Sequence, residues 1–209
     1  MKALRLFALA WPVTALGPGE RAVIWVAGCS RECPGCISPE MQPRDAGEEV
    51  PVRALAARLA RIGVPLDGLT ISGGEPFDQA EALADLLGLL QHTRPDWNVI
   101  VYTGYQIEEL GANPARADLL NRLDILADGP YRQDIPRNHP LTGSGNQRVH
   151  YRTARGAALR DAVESLPSGA MNLGLSRSGR TDMLIGVTEA QDRATACRKL
   201  ASPPENPPK

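Results

Sequence analysis

No apolar stretch in the 209 residues reaches the roughly 18 residues that a membrane-spanning helix needs. The chain also lacks an excess of charge of either sign, because 23 lysines and arginines face 24 aspartates and glutamates. The resulting net charge of −1 gives no broad basic field for a nucleic-acid backbone. Composition therefore argues against membrane insertion and nucleic-acid binding, and the length suits one main domain.

Cysteine is scarce, and its distribution along the chain is uneven. Of the four cysteines, Cys197 lies in the proline-rich end, and the other three share the loop Gly28–Ser38, called the cysteine loop below. These three are Cys29, Cys33 and Cys36, in the spacing Cys-x3-Cys-x2-Cys. Three thiols cannot all pair as disulfides, and the sequence shows no secretory signal. We therefore expect free thiols in a reducing cytoplasm.

Three neighbouring thiols are typical of a metal site, but the spacing alone leaves the kind of site open. A structural zinc site needs four protein ligands, and all three histidines are distant from the cysteine loop in sequence. An iron–sulfur cluster usually takes four thiolates as well, but a [4Fe–4S] cluster held by three leaves one iron open for chemistry. We favour the cluster, with zinc and inert thiols as the alternatives.

The hydrophobic pattern predicts an α/β fold. Apolar runs predict four strands at Ala22–Ala27, Leu69–Ser72, Asn98–Tyr102 and Asp124–Ala127. Between them the pattern predicts helices at Val52–Ile62, from Asp78 onward, at Ile107–Leu110 and at Ala115–Leu123. This alternation indicates a parallel sheet with right-handed crossovers. Because a complete eight-fold barrel needs about 250 residues, we predict an incomplete, open TIM-like barrel.

An unusual short motif follows each of the four predicted strands. The motifs are the cysteine loop, Gly73–Pro76, Thr103–Tyr105 and Asp128–Tyr131. In parallel α/β folds the C-terminal ends of the strands form one face, and ligands bind there. We therefore predict a single site at this face.

The flanking segments carry weaker patterns. We expect an edge strand at Leu4–Ala10, a polar surface connection at Pro39–Pro51 and a long polar loop at Arg132–Gln147. Further along, the pattern predicts a strand at Arg148–Arg152, a helix at Ala157–Leu166 and a small hairpin of Met171–Leu175 with Met183–Val187. We predict one domain over residues 1–187 and a disordered, proline-rich tail over residues 188–209, with Cys197 inert.

The three-cysteine spacing followed by Gly73–Pro76 resembles the radical S-adenosylmethionine (SAM) superfamily. Within that superfamily the chain looks like the activating enzymes of anaerobic ribonucleotide reductase, over roughly Gly17–His150. The resembling segments are Gly17–Gly19, Glu32–Cys36, Ser72–Pro76, Tyr102–Tyr105, Asp128–Tyr131 and Gly143–Gln147.

The resemblance implies a set of cofactor-binding residues. Cys29, Cys33 and Cys36 would hold a [4Fe–4S] cluster whose open iron is chelated by the amino and carboxylate groups of SAM. The segment Gly73, Gly74, Glu75 and Pro76 would hold the SAM amino group, unless it is a plain strand-to-helix turn. Thr103 and Asp128 could bind the ribose or carboxylate of SAM or a cation, or they could cap helices.

The resemblance also implies a reaction. An electron from a low-potential donor such as flavodoxin or ferredoxin would cleave SAM, and the resulting 5′-deoxyadenosyl radical would take a hydrogen atom from a glycine of a partner such as anaerobic ribonucleotide reductase. Because the cofactor carries this chemistry, we expect no catalytic side chain beyond the cluster ligands. The alternatives are a small radical SAM enzyme acting on a peptide or metabolite, and a non-catalytic metal-binding protein.

Overall fold

A computed structural model describes residues 2–167, 172–175 and 182–186. Its main sheet has seven strands: β1 (Ala3–Val13), β2 (Arg21–Val26), β3 (Glu48–Pro51), β4 (Gly68–Gly73), β5 (Asn98–Tyr102), β6 (Ile125–Asp128) and β7 (Arg148–Tyr151). Their order in the sheet is β3-β1-β2-β4-β5-β6-β7. The helices are α1 (Val52–Ala60), α2 (Ala80–Thr93), α3 (Ile107–Leu110), α4 (Pro114–Leu120), α5 (Ala154–Ala158) and α6 (Arg160–Glu164). A separate antiparallel hairpin joins β8 (Asn172–Leu175) to β9 (Asp182–Ile185), as predicted.

The four strands predicted from apolar runs form the parallel centre of an open sheet. β2, β4, β5 and β6 are neighbours, and each pair is parallel. β1 and β7 run antiparallel to their neighbours, so the prediction of parallel strands is confirmed for the centre only. Residues 14–20, which join β1 to β2, are too few for a parallel crossover, which takes about a dozen residues or more.

Two predictions about the N-terminal edge of the sheet are wrong. The segment Leu4–Ala10 is not an edge strand, because β1 pairs on one side with β2 and on the other with β3. β3 forms the edge, and it lies in the segment Pro39–Pro51 that the sequence indicated as a surface connection. Three of its four residues are exposed, and its partner β1 lies far away in sequence, so the local pattern gave no sign of a strand.

Two of the predicted helices begin or divide differently in the structure. A 3₁₀ turn over Pro76–Gln79 precedes α2, where the sequence predicted a helix opening at Asp78. The predicted helix Ala157–Leu166 is two short helices, α5 and α6, with Leu159 between them. The remaining predicted helices correspond to α1, α3 and α4.

The two faces of the sheet pack against different parts of the chain. Alternate strand residues such as Ile24, Ile71 and Val101 pack in one core with α1 and α2, on what we call the helix side. The opposite face, called the inner face, carries a second apolar cluster around Val23 and Trp25 and a third around Ile100, Ile125, Leu141 and Val163. The inner face is therefore covered near β6 and β7 by the polar loop and by α6.

The hairpin contributes one residue to the inner face. Ile185 of β9 is buried in the cluster with Val23, Trp25 and Met41. The predicted tail over residues 188–209, including Cys197, lies outside the described residues, so its disorder stays a prediction. No helix among the described residues is long and apolar enough to cross a membrane.

Candidate functional site

The cysteine loop begins where β2 ends, as the sequence predicted. Backbone hydrogen bonds hold its first residues: the Gly28 amide donates to the Met41 carbonyl at 2.9 Å, and the Cys29 amide donates to the Gln42 carbonyl at 3.0 Å. Cys29, Cys33 and Cys36 are free thiols, each half-buried. Gly28 and Gly35 have φ angles of 93° and 71°, in the left-handed region that favours glycine.

The Gly73–Pro76 segment, called the Gly-Gly-Glu-Pro segment below, lies directly against the cysteine loop. The Glu75 amide donates to the Gly28 carbonyl at 2.8 Å. A Cβ atom on Gly74 would lie 2.2 Å from the same carbonyl oxygen, and one on Gly73, where φ is 109°, would lie 2.4 Å from the Val26 carbonyl. Only glycine fits at these two positions, and the absence of side chains brings the two motifs into backbone contact.

Glu75 joins the ends of β4 and β5. Its side chain is 1% exposed, and its carboxylate accepts hydrogen bonds from the Phe77 amide at 2.9 Å, the Thr103 hydroxyl at 2.7 Å and the Gly104 amide at 2.8 Å. Burial raises the pKa of Glu75 to about 7, and the three donors act in the opposite direction. In this structure Glu75 therefore acts as a clamp that ties Thr103 and Gly104 to the Gly-Gly-Glu-Pro segment.

Asp128 is fully buried and has a different set of partners. Its carboxylate accepts from the Ile107 amide at 2.7 Å and from the Arg148 guanidinium at 2.6 Å. Arg148 also pairs with Glu108 at 2.7 Å, and this contact lowers the pKa of the Glu108 carboxyl to about 2. The structure thus brings together the cysteine loop, the Gly-Gly-Glu-Pro segment and Thr103, whereas Asp128 anchors the start of α3 to β7.

The sequence did not predict a polar network that ties the cysteine loop to the neighbouring helices. Asp78 accepts from the Ser30 amide, the Ser30 hydroxyl and the Tyr105 hydroxyl, each at 2.9 Å. Arg116 of α4 donates to the Tyr105 hydroxyl at 2.7 Å. Two guanidiniums lie over the Tyr105 ring, that of Arg31 at 4.6 Å and that of Arg116 at 4.0 Å from its centroid. Tyr105 belongs to the predicted motif Thr103–Tyr105 and Asp78 lies two residues after Gly73–Pro76, but no local pattern shows that Arg116 completes the network.

This network predicts a measurable effect of the Tyr105 hydroxyl. The substitution Tyr105→Phe should lower the free energy of unfolding by about 1 kcal/mol, because Arg116 and Asp78 each lose a partner. It should also speed hydrogen exchange at the Ser30 amide. Urea unfolding and exchange mass spectrometry measure the two effects. Tyr151→Phe is the matched control, since its buried hydroxyl has no hydrogen-bond partner within the described part of the chain. Equal effects of both variants would contradict the prediction.

The donor set of the cysteine loop fits a cluster better than a single ion. Among residues 2–167, 172–175 and 182–186, no three cysteine, histidine or acidic side chains lie close enough to bind one metal ion together. A closed zinc site needs four ligands around one ion, whereas the cysteine loop offers three cysteines and no histidine. The thiolates of a [4Fe–4S] cluster are distributed over several irons, and three free thiols on a loop with glycines in the left-handed region suit that arrangement.

Comparison with known proteins agrees with this donor set. The family profile described as "4Fe-4S single cluster domain" matches residues 15–150. The anaerobic ribonucleoside-triphosphate reductase-activating protein of Salmonella typhi is 32% identical over 142 residues, which span 65% of this chain and 90% of the relative. The proteins of the same name from Escherichia coli K12 and Enterobacteria phage T4 are 31% and 29% identical, covering 90% and 85% of their own lengths.

Proposed function

This chain belongs to the 4Fe-4S single cluster domain family, with the anaerobic ribonucleoside-triphosphate reductase-activating proteins among its relatives, and on that premise we propose that it reductively cleaves SAM to install a glycyl radical on a partner enzyme. It is accordingly a radical SAM oxidoreductase of the glycyl-radical-activating type. The observation that carries the proposal is the direct contact of the cysteine loop with the Gly-Gly-Glu-Pro segment, through Gly28 and Glu75.

Cys29, Cys33 and Cys36 are the proposed ligands of the [4Fe–4S] cluster. When bound and reduced, the cluster would supply one electron to the sulfonium of SAM, releasing methionine and a 5′-deoxyadenosyl radical. Burial raises the pKa of the Cys29 thiol, and the nearby Glu75 and Cys33 add to this effect. Metal binding would oppose it, because a coordinated thiol loses its proton.

Gly73, Gly74, Glu75 and Pro76 are the proposed binding segment for the SAM amino group. The Glu75 carboxylate has about four acceptor sites and uses three on the chain itself, which leaves one for an ammonium. Thr103 shares this clamp, so in our proposal it orients Glu75 beside SAM. Asp128, fully buried and bonded to Ile107 and Arg148, would act by holding the neighbouring strand end in place.

The wider setting of the proposal follows the sequence analysis. We propose that the open sheet is an incomplete TIM-like barrel, that residues 1–187 form one domain and that the chain works in the cytoplasm with a flavodoxin or ferredoxin as its electron donor. The relatives carry the name of an activator of anaerobic ribonucleoside-triphosphate reductase, so that reductase is the proposed partner.

The test is an anaerobic assay with two stages. The chain is loaded with iron and sulfide, reduced and mixed with SAM, and 5′-deoxyadenosine is quantified. The anaerobic reductase of the same genome is then added, and its glycyl radical is measured by electron paramagnetic resonance. We expect both products. Deoxyadenosine without a glycyl radical would favour a peptide or metabolite substrate instead, and no deoxyadenosine from fully loaded protein would refute the proposal.

A further inference from the structure

The cysteine loop is held unevenly along its length. Its first residues, up to Ser30, are tied by hydrogen bonds to segments outside the loop. Residues 32–37 form no hydrogen bond with any described residue outside the loop. Among them, the Cys36 amide donates to the Cys33 carbonyl at 3.2 Å and closes what we call the Cys33–Cys36 turn. Two of the three proposed cluster ligands therefore lie on the less supported part of the loop.

The side chain of Gln133 reaches this turn from another loop. A Cβ atom on Gly35, inside the turn, would collide with the side-chain amide of Gln133 and would lie 3.3 Å from the Gln133 Cβ. Gln133 therefore packs directly on Gly35, in space that is open because glycine has no side chain. Gln133 makes no hydrogen bond with any residue that the structure describes, so this contact depends on packing.

Gln133 extends from a well-anchored position in the polar loop that follows β6. The amide of its neighbour Arg132 donates to the Ser144 hydroxyl at 3.0 Å, and Ser144 is fully buried. At the end of the polar loop, the Gln147 side chain donates to the Gly129 carbonyl at 2.8 Å, which ties this loop to the end of β6. These bonds fix the backbone from which Gln133 extends, so its side chain can support a neighbouring loop.

The contact between Gln133 and Gly35 crosses the proposed site. The cysteine loop follows β2 and the polar loop follows β6, and β4 and β5 lie between these two strands in the sheet. In a flat sheet the ends of β2 and β6 would be roughly 14 Å apart, at about 4.8 Å per strand. The contact therefore bridges the ends of β4 and β5, where the Gly-Gly-Glu-Pro segment and Thr103 lie. It holds the cysteine loop at a second point, away from its backbone contact with Glu75.

Resting on the proposed function, we propose that Gln133 is a positioning residue that holds the Cys33–Cys36 turn in place for cluster binding by packing on Gly35. Three thiolates bind one cluster only when their positions match its irons, and residues outside the ligand set keep such positions fixed. Glycine serves two purposes at position 35: its φ of 71° lies in the left-handed region, and its missing side chain gives Gln133 room. Gln133 thus acts through the turn and not on the reacting atoms.

The experiment measures how firmly the loaded protein holds its cluster. Gln133→Ala should release iron to bathophenanthroline disulfonate about two- to fivefold faster, because the packing contact is lost, and should alter the electron paramagnetic resonance spectrum of the reduced cluster. The free energy of unfolding of the cluster-free chain should not change noticeably, because Gln133 is exposed. Gln133→Met should restore slow release, since methionine is of similar length and the contact uses no hydrogen bond. Asn138→Ala is the control: it removes another exposed amide from the polar loop, one that donates to the Gly145 carbonyl of the same loop.

The outcomes separate this inference from the proposed function. Iron release from Gln133→Ala at the rate of Asn138→Ala, or an unchanged spectrum of its reduced cluster, overturns the inference, and so does release from Gln133→Met as fast as from Gln133→Ala. A loss of folding stability in Gln133→Ala also overturns it, because faster release would then reflect the whole fold. If the unmodified protein holds its cluster but forms no deoxyadenosine, the proposed reaction is refuted, whereas the role of Gln133 is still decided by the release rates. Unmodified protein that binds no cluster refutes both.

Discussion

Replacing Cys33 by alanine should reduce deoxyadenosine formation to the background of cluster-free protein. The substitution removes one of three proposed cluster ligands, and no other free cysteine lies in the described residues to take its place. The fold should persist, because Cys33 is half-buried and its carbonyl still accepts from the Cys36 amide. Iron content per chain, the visible absorbance after anaerobic loading and deoxyadenosine measured by chromatography check the prediction together.

Cys197→Ala is the matched control for this experiment. The sequence places Cys197 outside the three-cysteine motif, so its loss should leave iron content and deoxyadenosine formation unchanged. Full iron content and activity in Cys33→Ala would contradict the ligand assignment. A loss of iron in Cys197→Ala would instead identify a fourth protein ligand and would argue against an open iron for SAM.

Replacing Glu75 by glutamine should remove hydrogen bonds between the segments that follow β4 and β5. In Glu75 one oxygen accepts from Phe77 and Thr103, and the other accepts from Gly104. Glutamine replaces one of these oxygens with an NH₂ group, which cannot accept, so the donors on that side lose their partner. We expect the free energy of unfolding to fall by about 1–3 kcal/mol. Deoxyadenosine formation should fall roughly tenfold to a hundredfold, because small misplacements at a site cost about that much. Urea unfolding of the cluster-free chain and the anaerobic assay provide the two measurements.

Glu75 also predicts a pH dependence of stability. Its pKa of about 7 in the folded chain exceeds the ordinary 4.5, so folding favours the protonated form. The stabilisation from this group is fully present below about pH 4.5 and is lost as the pH rises through about 7, amounting to about 3 kcal/mol at most. Urea unfolding between pH 5 and pH 8 should show this loss in the unmodified chain but not in Glu75→Gln.

An exposed carboxylate provides the control for both Glu75 measurements. Glu81 lies in the first turn of α2 with a side chain 70% exposed, and its contact with Lys2 is 3.8 Å long. Glu81→Gln should therefore change neither stability nor activity noticeably. If Glu75→Gln matched Glu81→Gln in stability and in pH dependence, the clamp role of Glu75 would be wrong.

The sequence by itself determined the local features of this protein. Periodicity and neighbouring residues predict the strands of the parallel centre, and the three-cysteine spacing with Gly73–Pro76 indicates the family that the comparisons then showed. These signals are readable because each depends on residues close together along the chain. The sequence also predicts that the motifs lie at one edge of the sheet, because the C-terminal ends of parallel strands are on the same side.

Only the tertiary structure decided which side chains work together. Glu75 contacts Thr103, which is 28 residues away, and Arg116 of α4 contacts Tyr105 in the connection after β5, so no spacing in the sequence shows these contacts. β3 could not be predicted for the same reason, because its exposed residues pair with a strand more than 40 residues earlier.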